Sequence, residues 1–132
     1  MKLKLFASVL ALALLAAGQA SAHHSFAATY FEDKTMQIEG KIVQFQFRNP
    51  HSFIQVEVKD DKGQLQRWSI EWGGAGQLGS QGVTNETLKY GDVVTIIGNP
   101  GRVAEDHRVR MLSLRRKSDN FGWGQRPGEV VD

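Results

Sequence analysis

The chain contains no cysteine, and this absence removes two kinds of site from consideration. Without thiols there is neither a disulfide framework nor a thiolate metal site. No cysteine follows the small residues at positions 20–22, so we expect no lipoprotein anchor. The folded domain must therefore be held together by its hydrophobic core alone.

A hydrophobic run long enough to cross a membrane is also missing. The run from Leu5 to Ala17 is shorter than the roughly 20 apolar residues that a spanning helix needs. It follows Lys2 and Lys4 and precedes Ala20-Ser21-Ala22, the pattern of a cleavable secretory signal. We therefore predict a signal peptide over residues 1–22, export to the periplasm, and no stable membrane insertion after cleavage.

An excess of one charge is absent as well. The chain has 16 basic and 14 acidic residues, and removal of Lys2 and Lys4 with the signal leaves 14 of each. Nonspecific binding to nucleic acid or to anionic membranes requires a net basic domain. A neutral mature protein is therefore not expected to bind nucleic acid.

Catalytic motifs are equally scarce in this sequence. The serines lack the context of a nucleophile elbow or a catalytic triad. The glycine-rich stretch 73–82 is not followed by Lys-Ser or Lys-Thr, so it is not a phosphate-binding loop. These observations favour a binding protein over an enzyme, and we hold a copper redox activity only as a third hypothesis.

Alternation of apolar and polar residues predicts an all-β fold. A connection over residues 73–92 separates the third and fourth segments and can hold a short helical turn, which we expect at residues 85–89. Five strands with this connection favour a small five-stranded Greek-key barrel of the OB type, with a sandwich as the alternative. The predicted strands are 38–47, 52–58, 65–72, 93–98 and 108–115.

Within the strands, alternation also predicts which side chains face the core. In the third strand Trp68, Ile70 and Trp72 should point inward, whereas Arg67, Ser69 and Glu71 should face solvent. Gly40 suits a bulge or bend in the first strand.

The predicted domain organisation has four parts. The signal at 1–22 is followed by an extended arm over 23–36, the OB-like β-barrel over 37–116 and a flexible C-terminal tail over 117–132. The tail is rich in glycine, aspartate and arginine, so we expect it to be loosely ordered.

The four histidines are the candidate metal ligands, because none of them falls in the middle of a predicted strand. Cleavage after Ala22 would place His23 first, where its α-amine and imidazole form a ready chelate for a transition metal. Such nitrogen ligands suit Cu(II), Ni(II) or Zn(II), and copper gains most in affinity. The candidate ligands are His23, His24, His51 and His107.

The first functional hypothesis is therefore a periplasmic copper-binding module. His23 would bind through its amine and Nδ1, and His51 would add an imidazole, with His24 or His107 completing or replacing a ligand. Glu71 could orient an imidazole as a carboxylate acceptor. The alternatives are an exposed arm without metal, a structural turn at Asn49-Pro50-His51-Ser52 and a solvated loop around His107.

The second hypothesis is an OB-type binding module for a small ligand or a periplasmic partner protein. Phe53, Arg48 and Arg67 would line its rim, and the histidines would be incidental. Trp68 and Trp72 share the inward face, so we interpret them as core residues rather than as a stacking surface.

Several of these motifs together resemble a family of small exported bacterial proteins known only as a domain of unknown function. The resemblance implies an exported OB-like domain without an established activity, and it draws attention to the histidines at 23–24 and 51. A weaker, fold-level likeness is to periplasmic OB-fold proteins linked with stress tolerance. The motifs are His23-His24-Ser25-Phe26, Gly40, Asn49-Pro50-His51-Ser52, Trp68, Glu71, Gly91-Asp92, Gly98 and Pro100.

Overall fold

The computed structural model of this protein describes residues 26–132. The predicted signal peptide at 1–22 and the candidate ligands His23 and His24 lie outside the described residues. None of the helices between residues 26 and 132 is long and apolar enough to cross a bilayer.

The described part of the chain is built mainly from six strands. One short helix, α1, joins the third strand to the fourth, and a 3-10 turn at Ala104–Asp106 precedes the fifth. The strands are β1 Met36–Gln46, β2 Phe53–Lys59, β3 Leu65–Glu71, β4 Val93–Pro100, β5 Arg108–Arg116 and β6 Gly122–Trp123, and α1 is Ala75–Ser80.

The strands close into a barrel through one parallel pairing. The order is β3-β2-β1-β4-β5-β6 with antiparallel neighbours, and β3 also pairs with β5 in parallel, from Ser69 beside Arg108 to Glu71 beside Arg110. This circuit of five strands is the Greek-key barrel of the OB type. The predicted all-β, OB-like fold is therefore confirmed.

The first strand is long because it pairs with two neighbours in succession. Its first half pairs with β4 and its second half with β2, so it must curl around the barrel. At Gly40 a Cβ atom would lie 2.4 Å from the main-chain oxygen of Glu57. The sequence predicts a bulge or a bend at Gly40, but the register shift lies between Ile42 and Gln44, so the bulge is at Val43, three residues further on.

The buried apolar side chains of residues 26–132 form one hydrophobic core cluster. Trp72 is fully buried, as alternation predicts, with its ring 5.7 Å from that of Phe45 and edge-on to Trp123 at 5.3 Å. Trp68 is only partly buried at the margin of this core. The buried apolar residues are Phe26, Tyr30, Ile38, Ile42, Ile54, Val56, Ile70, Trp72, Leu78, Val83, Leu88, Val94, Ile96, Val109, Met111, Leu114, Trp123 and Val131.

The short helix lies earlier in the connection than the sequence predicts. Residues 75–80 are helical, whereas residues 85–89 contain turns. The helix is held by tertiary contacts, since Leu78 is fully buried and the Asn49 side chain accepts a hydrogen bond from Gly76 N–H at 3.1 Å. Local propensity, which disfavours a glycine-rich helix, is overridden by these contacts.

The segment after β5 also differs from the expected loose tail. Trp123 lies in β6 and is 1% exposed, and its indole N–H donates to Gln81 at 2.8 Å. Glu129 accepts hydrogen bonds from the main-chain N–H groups of residues 124, 125 and 126 at 2.8, 3.1 and 3.1 Å. Residues 117–132 therefore pack against the barrel, because two apolar anchors, Trp123 and Val131, are buried there.

The close approach at Gly40 predicts a marked effect of adding a methyl group. Gly40→Ala should lower the free energy of unfolding by about 1–3 kcal/mol, because its Cβ would overlap the main chain of β2. Gly79→Ala is the matched control, since nothing lies within 4 Å of its Cβ position in α1. Chemical denaturation should show the control unchanged or slightly stabilised; equal midpoints for both variants would contradict the strand geometry.

The carboxylate of Glu129 predicts a pH-dependent contribution to stability. Burial raises its pKa, but the three main-chain N–H donors outweigh burial and hold the pKa below its usual range. The stabilisation is therefore present above the ordinary glutamate pKa and is lost as the pH falls through the lowered one. Glu129→Gln should cost about 1–3 kcal/mol near pH 7.

That difference from wild type should shrink below about pH 4 in unfolding curves recorded across the acid range. Glu105→Gln, at an exposed position of the 3-10 turn, is the control and should change little at any pH. A Glu129→Gln penalty that persists unchanged to pH 2 would rule out this role for the carboxylate.

Candidate functional site

A buried carboxylate stands at the end of β3. Glu71 is 7% exposed, and among residues 26–132 its two oxygens have three side-chain partners. Oε1 lies 2.7 Å from His51 Nδ1, whereas Oε2 accepts a hydrogen bond from the Tyr30 hydroxyl and contacts Arg108 Nη2 at 3.4 Å. A buried charge is costly unless it is paired, and this one is paired with donors from three separate parts of the chain.

Glu71 was expected to face solvent, and the structure shows why that prediction is wrong. Alternation holds along β3, but the side of the strand that carries Glu71 is covered. The parallel partner β5 brings Arg108 beside the carboxylate, and the segment from Phe26 to Tyr30 lies over it. Residues 26–29 of the predicted extended arm are helical, and Tyr30 pairs with Gly101.

His51 is held between this carboxylate and the surface. Its ring centroid lies 5.3 Å from that of Phe26, and its side chain is 24% exposed. With Nδ1 directed at Glu71, Nε2 points the other way, where the main-chain oxygen of Asp132 lies at 2.6 Å. The carboxylate thus fixes the orientation of the imidazole and leaves Nε2 as its outward nitrogen.

The turn before β2 places His51 accurately. The peptide bond between Asn49 and Pro50 is cis. Ser52 is fully buried and exchanges hydrogen bonds of 3.2 Å with the main chain of Arg48, while Asn49 accepts the N–H of Gly76. The structural role expected for Asn49 and Ser52 therefore coexists with a directed imidazole.

Tyr30 completes the network from the N-terminal side. Burial, then the hydrogen bond to Glu71, raise its pKa well above the usual range, although the positive charge of Arg108 opposes them. The phenol therefore remains a hydrogen-bond donor at ordinary pH. The guanidinium carbon of Arg108 lies 5.6 Å from the Tyr30 ring centroid.

Arg110 supports the same region two residues further along β5. Its guanidinium carbon lies 4.0 Å from the Phe26 ring centroid, and its Nη1 pairs with Glu32 at 3.0 Å. Its Nη2 donates to the main-chain oxygen of Val131. Phe26 is thus packed between the imidazole of His51 and this guanidinium, which holds the N-terminal segment against the site.

His107 lies apart from this carboxylate. It adopts a left-handed conformation with φ 47° at the end of the 3-10 turn, and its ring stacks on Trp68 at 4.8 Å. Its main-chain oxygen accepts the N–H of Ser69, beside the middle of β3 rather than its end. The structure therefore does not bring His107 to His51.

Acidic and histidine side chains do not cluster into a metal site among residues 26–132. Within that range no group of three or more such residues is arranged to hold an ion. His51 is therefore the single candidate ligand that the described residues join to a carboxylate, and His23 and His24 lie outside that range.

The second group of candidate residues forms no comparable network. The guanidinium carbon of Arg48 lies 5.2 Å from the Phe53 ring centroid. Arg67 pairs with Glu57 at 3.2 Å across an exposed part of the sheet. This rim combines one half-buried aromatic ring with charges of both signs.

The sequence also matches a known protein family over most of its length. The model of DUF6152, a family of unknown function, matches residues 11–110. This chain belongs to the DUF6152 family. The match includes Tyr30, His51, Glu71 and Arg108, so every side chain that contacts the buried carboxylate falls within the family domain. Residues 111–132 lie beyond it.

Comparison with curated proteins gives no match. Among solved structures, the chain is similar to Rim1, a mitochondrial single-stranded DNA binding protein from S. cerevisiae. The two sequences are 14% identical, and the structures superpose with a TM-score of 0.48. The alignment covers 64% of this chain and 93% of the Rim1 chain.

Sequence reasoning found two members of the site and missed the others. The sequence points to His51 and Glu71, whereas Tyr30 falls in the predicted arm over 23–36 and Arg108 at the start of the last predicted strand, where neither carries a signal for a site. Their proximity depends on the parallel pairing of β3 with β5, for which the local sequence carries no signal.

The buried network predicts that Glu71 is important for stability. Glu71→Gln should lower the free energy of unfolding by about 2–4 kcal/mol, because it leaves Arg108 without its countercharge and weakens two hydrogen bonds. Glu57→Gln is the matched control on the neighbouring strand, where the pair with Arg67 is exposed. Denaturant titration should show a change below about 0.5 kcal/mol for the control; similar losses for both would contradict the network.

Proposed function

We propose that this DUF6152 protein is an exported, non-catalytic metal-binding protein of the periplasm, and that its metal is copper. The observation that carries the proposal is the contact of 2.7 Å between His51 Nδ1 and the buried carboxylate of Glu71. Histidines that bind metals commonly donate their second ring nitrogen to a carboxylate in this way.

The orientation of His51 supports its role as a ligand. Glu71 accepts a hydrogen bond from Nδ1, so Nε2, at the outward side of the ring, is the nitrogen that would bind a metal. The side chain is 24% exposed, so His51 lies at the protein surface and not in the core.

The position of Phe26 supports a contribution from the N-terminal histidines. Its ring is 5.3 Å from that of His51, so the chain enters the described region beside the candidate ligand. His24 precedes Phe26 by two residues and His23 by three. At about 3.3–3.6 Å per residue, chain length allows both to reach His51.

The ligand set indicates copper. The α-amine and Nδ1 of His23, with Nε2 of His51, would supply three nitrogens, and His24 is available as a further ligand. Nitrogen ligands without thiolates favour Cu(II) over the other divalent metals of the first row. His107 has no part in this site, because its ring stacks on Trp68 instead.

A second candidate function is a metal-independent binding module for a small ligand or a partner protein. The contact between Arg48 and the half-buried ring of Phe53 favours this alternative, since the pair offers a cationic and an aromatic surface together. In that case His51 serves only to hold the turn before β2.

Titration of the mature chain with Cu(II), followed by EPR, tests the first proposal. A chain that begins at His23 should bind one Cu(II) with nitrogen ligands. An extra N-terminal methionine should weaken binding by at least about tenfold, because it removes the free amine from His23. His51→Ala should weaken binding by a similar factor, and His107→Ala is the matched control that should leave it unchanged.

Weak binding that neither the methionine nor His51→Ala alters would overturn the copper proposal. The search would then move to partners of the Arg48–Phe53 rim, with Phe53→Ala as the first variant. Circular dichroism of each variant separates a lost ligand from a lost fold.

A further inference from the structure

The last residues of the chain form a strap over the candidate metal site. We define the C-terminal strap as residues 128–132. Its main-chain oxygens are bound by side chains from α1 and the residue that follows it, from the turn before β2 and from β5. The side chain of Gln81 donates a hydrogen bond to the main-chain oxygen of Gly128 at 3.1 Å, and the side chain of Gln77 donates one to the oxygen of Val130 at 3.0 Å. Arg110 donates to the oxygen of Val131, and Nε2 of His51 lies 2.6 Å from the oxygen of Asp132.

One apolar side chain anchors the strap. Val131 is 3% exposed and belongs to the same core cluster as Phe26, whereas its neighbour Val130 is 53% exposed. Glu129 is also buried, and its carboxylate accepts the main-chain N–H groups of residues 124–126, just before the strap. Against the rest of the fold, the strap is held by the Val131 side chain and by hydrogen bonds to side chains. It forms no part of the strands that close the barrel, so it can detach without opening the fold.

The strap occupies the position that a metal on His51 would need. The oxygen of Asp132 lies 2.6 Å from Nε2. A metal bound to an imidazole nitrogen lies about 2.0–2.1 Å from it, along the direction of the nitrogen lone pair. Ion and oxygen cannot share that space, so the strap must move before Nε2 can bind a metal.

We infer that the C-terminal strap gates the metal site, and that strap closure and metal binding at His51 exclude each other. The inference rests on the proposed function of His51. Because the coupling is reciprocal, loosening the strap raises the apparent metal affinity, and metal binding releases the strap. Release of the strap would expose the Val131 side chain and break the hydrogen bonds that Gln77 and Gln81 make to the strap. Metal binding would thereby change the protein surface.

The test loosens the strap without adding a charged ligand. Val131→Ser removes the buried anchor, and Val130→Ser is the matched control at the exposed neighbour. Both are made in the chain that begins at His23, and Cu(II) binding is measured by competition with a chelator. Val131→Ser should bind Cu(II) about tenfold more tightly than wild type, and Val130→Ser should bind as wild type does.

Hydrogen exchange of the wild-type protein supplies a second measurement that does not depend on a variant. Amides of residues 128–132 should exchange faster in the Cu(II)-bound protein than in the apoprotein. Amides of β1 and β4 should keep their protection, which shows that the barrel stays closed.

The outcomes separate this inference from the proposed function. Equal Cu(II) affinity in all three proteins, with binding that still depends on His51, would overturn the gate and leave the metal site in place. Weaker binding by Val131→Ser, with an unchanged exchange pattern in its barrel, would overturn the gate by making the strap part of the site. If Cu(II) binding depends on His51 in neither the wild type nor the two valine variants, both the gate and the proposed metal site are overturned.

Discussion

Burial of the Glu71 carboxylate is the constraint on which the functional end of this barrel depends. A charge withdrawn from water must find its donors within the protein, and here they come from the N-terminal segment, the turn before β2 and the start of β5. The network therefore ties together parts of the chain that share no strand pairing with one another. Tyr30, His51 and Arg108 are each oriented by the same two oxygen atoms.

The barrel supplies the position of this carboxylate, and the segments outside the barrel supply its environment. Closure through β3 and β5 brings Glu71 level with Arg110, and Phe26 then packs between Arg110 and His51. The result is an imidazole whose Nδ1 is held by Glu71 and whose Nε2 is covered by the main-chain oxygen of Asp132. Such an arrangement suits a binding site whose access is controlled by a nearby segment of the chain.

The boundary of the family match falls between the carboxylate network and the C-terminal strap. The carboxylate network lies within residues 11–110, whereas the C-terminal strap lies outside them. The proposed metal site and its proposed gate therefore belong to different parts of the protein. A family domain that carries the proposed ligands and a separate segment that covers His51 can change independently of each other.

The sequence by itself determined the strands, the OB-like barrel and two of the side chains at the candidate site. Alternation of apolar residues has a period of two in a half-buried strand, so Ile70 and Trp72 could be assigned to the core. The asparagine and proline before His51 marked its turn for an equally local reason.

Only the tertiary structure decided that Glu71 is buried, that His51 and not His107 lies beside it, and that residues 128–132 cover the imidazole. Each of these facts depends on contacts between residues far apart along the chain. Propensity and periodicity act over a few neighbouring residues, and they carry no information about which distant segments will meet.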